Sequence, residues 1–119
     1  MKSLLVISRH SPLRQQAREA LDVALSAAAF GVPCGVLFMD DGVFQLMKGQ
    51  DATQVNQKSL AANLQTLPLY GVEDILVCQH SLGERGLQGS QCMLDARVVS
   101  NAEIASLMES YDQIVTLYV

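Results

Sequence analysis

The chain has 119 residues, half of them hydrophobic and 17% charged, with a formal net charge of −4 and a pI near 4.9. That length builds one compact domain, residues 1–119, rather than two. The acidic balance and the scattered Lys and Arg residues exclude direct binding to a nucleic-acid backbone. The only apolar run near the amino terminus, Leu4 to Ile7, is too short for a signal peptide or a membrane span, so a cytoplasmic protein with no membrane partner is expected. Three cysteines without a Cys-x-x-Cys pair read as free thiols in a reducing compartment. So little charge on so small a domain leaves apolar surface for a partner, and an oligomer is expected.

Leu4-Leu5-Val6-Ile7 reads as a first strand, apolar throughout as a strand covered on both faces should be. Ser11 is expected to cap a helix with Pro12 at its first position. Ala17, Ala20, Leu21, Ala24, Leu25 and Ala28 recur on one face of that helix, and Gly31 stops it. Val36 to Met39 is the second strand, followed by the turn Asp40-Asp41-Gly42. A helix is predicted from about Asp51–Gln54 to Leu67, ended by Pro68. Ile75 to Cys78 is the third strand. Ser81-Leu82-Gly83-Glu84 has the form of a capping box opening a short helix that stops at Gly86. Ala96 to Val99 is a fourth strand, Ser100 to Glu103 a second capping box, and Ile114 to Val119 the last strand. Strands alternating with helices in this way predict an α/β fold with a mostly parallel sheet.

The strand-to-helix loop Ser8-Arg9-His10-Ser11-Pro12-Leu13 has no glycine, so its backbone lacks the close approach to pyrophosphate that a dinucleotide fingerprint needs. The cysteine and histidine spacings match no structural zinc pattern. No metal or organic cofactor is expected. Cys78 is the candidate nucleophile. It closes a strand and faces a predicted helix amino terminus, where backbone N–H groups favour a thiolate. His80, Ser81 and Arg85 stand close enough in sequence to tune it. The alternative is a small buried hydrophobe ending a strand. Cys34 is expected in the core, and Cys92, in a Gly/Ser-rich loop, is expected to be more exposed. Val43, Phe44, Leu46 and Met47 follow a strand-end turn. They read either as a short helix folded on the core or, given the low charge of the chain, as an apolar docking patch.

Several segments together carry a family likeness: Asp41 to Leu46, Tyr70 to Asp74, Val77-Cys78, Ser81 to Leu87 and Tyr111 to Val115. The chain resembles the DsrE/DsrF-like sulfur-relay proteins, in their TusC/DsrF branch, over nearly its whole length. The resemblance implies a three-layer α/β/α domain, flavodoxin-like in shape, with a five-stranded parallel sheet. It implies B-type and D-type partner subunits in a heterohexamer of two trimers. Such a complex takes persulfide sulfur from an upstream carrier and passes it to a downstream one, toward 2-thiolation of the wobble uridine of tRNA or, in sulfur oxidisers, in dissimilatory sulfur metabolism. In that family the sulfur-carrying cysteine lies on the D-type subunit. Cys78 matches its position, while the rest of the chain matches the C-type subunit. The expected role is therefore a subunit of a sulfurtransferase complex that is more structural than catalytic. The alternatives are an autonomous persulfide carrier using Cys78 in a homo-oligomer and a small-molecule-binding domain of flavodoxin-like shape.

Overall fold

Every strand lies parallel to its neighbours, in the order β4-β3-β2-β1-β5. The computed structural model describes residues 2–47, 55–72 and 74–117. In chain order the elements are β1 (Leu4–Ser8), α1 (Gln15–Ala29), β2 (Cys34–Phe38), a 3-10 helix (Asp40–Leu46), α2 (Val55–Leu64), a 3-10 turn (Leu67–Tyr70), β3 (Asp74–Cys78), α3 (Gln79–Glu84), a second 3-10 turn (Gly89–Gln91), β4 (Arg97–Val99), α4 (Asn101–Ser110) and β5 (Gln113–Thr116). The predicted α/β class with a five-stranded sheet is the observed one.

Successive side chains of a strand point to opposite faces, and the two faces have separate cores. Leu4, Val6, Val36, Phe38, Ile75 and Val77 pack against Ala17, Ala20, Leu21 and Ala24 of α1 and Leu60 and Leu64 of α2. Leu5, Ile7, Leu37, Leu76, Cys78 and Val99 pack against Ile104 of α4, with Leu107 and Met108 at the margin. Each fully buried Leu, Val or Phe contributes roughly 1.5–3 kcal/mol through area removed from water. This is why β1 is apolar from Leu4 to Ile7 and β2 from Val36 to Phe38.

Several boundaries move for local reasons. Pro12 does not open α1. The Arg14 N–H bonds to the Ser11 carbonyl (3.0 Å), closing a turn through Pro12 and Leu13, and the helix proper begins at Gln15. Proline fits the second position of such a turn as readily as a helix start. The predicted beginning of α2 lies outside the described residues. Its end comes earlier than expected, at Leu64, because Pro68 lies in a separate 3-10 turn that Gly71 closes with a left-handed φ of 90°. The capping box at Ser100–Glu103 forms as predicted, each side chain bonding the other residue's backbone N–H. The last strand, predicted from Ile114 to Val119, runs over Gln113–Thr116; Leu117 follows it, and residues 118 and 119 lie outside the described residues.

Candidate functional site

Cys78 stands at the carboxyl end of β3, paired in register with Val99 of β4. The predicted capping box at Ser81–Glu84 does not form. The helix starts earlier, at Gln79, and Cys78 is itself the cap residue. The Ser81 N–H donates to the Cys78 sulfur at 3.5 Å, and the thiol in turn reaches the Asn101 side-chain oxygen at 3.9 Å. Sulfur is a weak acceptor and donor, yet here it closes the first turn of α3 and links it to the start of α4. Cys78 is 1% exposed. The other two cysteines are also buried, and all three are free thiols. Cys34 is in the core as expected, and burial pushes its thiol pKa up. Cys92 is not the exposed loop thiol that its neighbours suggest, because its backbone forms a bridge with Met47 and its side chain joins the core cluster that holds Leu46 and Leu82.

The three tuning candidates divide. Ser81 is buried, and its hydroxyl accepts the Asp40 N–H at 2.9 Å. Arg85 donates through Nε and Nη2 to Asp41 Oδ1 (3.1 and 3.0 Å) and through Nη1 to the Ser81 carbonyl (3.2 Å). His80 lies on the open side of α3, 3.1 Å from Glu84. Ser81 and Arg85 thus act as a clasp between α3 and the 3-10 helix that follows β2, while His80 pairs with Glu84 and the Cys78 sulfur bonds Ser81 and Asn101 instead. Arg9 completes the edge by pairing with Asp40 at 2.7 Å. Asp40 holds a left-handed φ of 52°, a conformation that costs a non-glycine residue on the order of 1 kcal/mol or more. Its backbone bond to Ser81 and its ion pair with Arg9 fix it there.

The segment Val43 to Met47 belongs mostly to the chain's own core. Val43 and Leu46 have no exposed surface, Met47 is half-buried, and Phe44 is 37% exposed. The reading of a short helix folded on the core describes Val43 and Leu46, so only Phe44 and part of Met47 face outward. Gly42 makes this packing feasible, since a Cβ there would stand 2.0 Å from the Ser8 carbonyl oxygen. Gln45, also fully buried, donates from Nε2 to Ser8 Oγ (2.7 Å) and to the His10 carbonyl (2.8 Å). The 3-10 helix therefore lies across the carboxyl end of β1. In other open α/β sheets a ligand enters at that edge.

Sequence reasoning singled out neither Asn101 nor Gln45 nor the pair Asp40–Asp41. Asn101 was within reach, because parallel strands end at one edge and Val99 is the register partner of Cys78. Gln45 gave no signal, since a lone polar residue in an apolar run is usually a solvent-facing position. Among the described residues no group of three or more His, Cys, Asp or Glu side chains is placed to hold a metal ion. Among them, too, no helix is long and apolar enough to cross a membrane.

Residues 2–117 match the DsrE/DsrF-like family. The chain belongs to the DsrE/DsrF-like family. Within it, the chain is 49% identical over 117 residues to a protein named TusC homolog from Pseudomonas aeruginosa, covering 98% of each chain. It is 31% identical over 117 residues to the TusC homolog of Vibrio vulnificus strain CMCP6, covering 98% of this chain and 99% of that one. The crystal structure of the Escherichia coli ychN protein superposes with a TM-score of 0.82, over 98% of this chain and all of that one, at 17% identity. That last likeness concerns the fold alone. The parallel sheet is the one expected from the alternation of strands and helices, and the helices on both its faces are those that the family resemblance implies.

Proposed function

We propose that this chain is a TusC-type subunit of a sulfur-relay complex and that it contributes contact surface rather than a sulfur-carrying thiol. Its identity to proteins named TusC homolog, over nearly the full length of both chains, supports membership. In this reading it assembles in the cytoplasm with B-type and D-type subunits into a heterohexamer. The complex takes persulfide sulfur from an upstream carrier and hands it on toward 2-thiolation of the wobble uridine in tRNA. The tRNA itself is met by a downstream protein, in keeping with this chain's acidity.

The observation that carries the structural role is the enclosure of Cys78. Persulfide transfer needs a thiolate with an open line of approach, since it attacks the outer sulfur of the donor. The Cys78 sulfur is buried, already accepts the Ser81 N–H, and is covered by Asn101. An added sulfur atom would have to displace that packing.

The test is reconstitution. Co-expressed with B-type and D-type subunits, the chain should form one species of about six subunits by light scattering. Cys78→Ser should leave both the assembly and the 2-thiouridine content of tRNA close to the native level. Failure of the native chain to associate would overturn membership. Loss of thiolation with assembly intact would instead make Cys78 a carrier.

A further inference from the structure

At the amino-terminal edge of the sheet, opposite the Cys78 edge, lies a cavity of about 510 Å³ lined by Ser3, Pro33, Cys34, Asp74, Ser110 and Tyr111. Most of its polar groups are already engaged. Ser3 bonds Asp112 through both its backbone N–H and its hydroxyl, Ser110 donates to the Leu107 carbonyl, and the Cys34 thiol leans toward the Gly35 carbonyl. Asp74 is different. One carboxylate oxygen accepts the Tyr111 hydroxyl at 2.5 Å. Among the described residues no Lys, Arg or His nitrogen comes within 4 Å of the carboxylate. The charges of Lys2 and Arg97 act nearby, on Asp112 and Tyr111 respectively, without a direct ion pair to Asp74. Asp74 is solvent-exposed, so its carboxylate is open to a direct ion pair with an incoming cation.

The backbone approaching the cavity carries large exposed apolar side chains. Phe30, 83% exposed, stands three residues before Pro33. Leu69 and Tyr70, 84% and 52% exposed, stand just before Gly71, which also borders the cavity. A carboxylate beside an aromatic ring and apolar surface suits a guanidinium or ammonium group with an alkyl stem.

We propose that this edge is a docking surface for a partner polypeptide, which inserts an Arg or Lys side chain beside Asp74 and covers Phe30, Leu69 and Tyr70. This rests on the proposed membership of a multi-subunit complex and names a surface for it. The surface lies at the end of the sheet away from Phe44.

The experiment uses the co-purified complex. Asp74→Asn keeps an acceptor for Tyr111 and removes the charge. Leu69→Ser alters a side chain that lies almost wholly in solvent, so it leaves the fold intact. Each is expected to weaken subunit association about tenfold or more with the melting temperature of the isolated chain unchanged. Added salt should weaken the native complex more than the Asp74→Asn complex. A photo-crosslinking residue at position 69 should join a partner peptide that contains Arg or Lys. Full-strength association by both variants, with no cross-link from position 69, would overturn this surface while leaving complex membership standing. Absence of any complex with the native chain would overturn both.

Discussion

The backbone N–H of Ser81 points at the sulfur of Cys78, 3.5 Å away. A cysteine thus occupies a position that Ser, Thr, Asp or Asn usually fills. Cys78→Ala removes the acceptor and leaves the N–H without it in a buried setting. The expected loss is about 1 kcal/mol of stability, within the range of cap deletions, read by urea denaturation of the isolated chain. Cys78→Ser retains an acceptor and should lose less. Equal losses for the two would show that the sulfur serves only as filler.

Thiol reactivity provides a second check. The sequence alone ranks Cys78 first toward alkylation, Cys92 second and Cys34 last. The structure reverses the place of Cys78, which is the most enclosed of the three. All three thiols should react slowly with N-ethylmaleimide at neutral pH, with Cys78 slowest. Burial also holds the Cys34 thiol protonated at that pH. Site-resolved mass spectrometry reads the order, and rapid labelling of Cys78 in the folded chain would contradict the structure at this point.

The 3-10 helix after β2 should tolerate change unevenly. Gly42→Ala places a methyl group 2.0 Å from a backbone oxygen, and backbone gives way less readily than a side chain. A loss of roughly 1–3 kcal/mol or more is expected, visible as a lowered melting temperature. Val43→Ala empties a fully buried site and should lower stability by about 2 kcal/mol. Phe44→Ala, at a partly exposed position, should cost the isolated chain less. An additional loss in the assembled complex would place Phe44 at a contact.

The alkaline limb of the stability curve should depend on Tyr111. Burial, the hydrogen bond to Asp74 and the charge of Asp74 all push its pKa above the usual 10.0. In the unfolded chain the phenol loses its proton near pH 10, while in the folded chain it keeps it. The unfolded state then binds fewer protons, so stability falls as pH rises above about 10. This contribution is fully present at lower pH. Tyr111→Phe should flatten that fall in a series of melting curves taken across the alkaline range.

Much of this architecture was legible in the residues because burial on both faces of a parallel sheet leaves unbroken apolar runs. Leu4–Ile7, Val36–Phe38 and Ile75–Cys78 are such runs, and each lies in a strand. The capping box at Ser100 was equally legible, since both reciprocal bonds are local. The pattern Ser81-x-x-Glu84 misled for an instructive reason. Its serine hydroxyl is taken by Asp40, 41 positions earlier, and its glutamate turns to His80. Tertiary partners outcompeted the local ones. Cys92 misled in the same way, because its pairing with Met47 joins segments that nothing in the local sequence connects.

The pairing of β1 with β5 also bears on how the chain is made. The hydrogen bonds between Ser3 and Asp112 span 109 positions, and β1 has β2 on one side and β5 on the other. On a translating ribosome, β1 can meet β2 early, but its second edge stays open until almost the whole chain has emerged. An unpaired edge on an apolar strand is a template for unwanted association, and long-range parallel pairing is slow. The nascent chain therefore has its greatest need of a chaperone late in synthesis, and circular permutants that bring residues 113–116 ahead of Leu4 should fold faster.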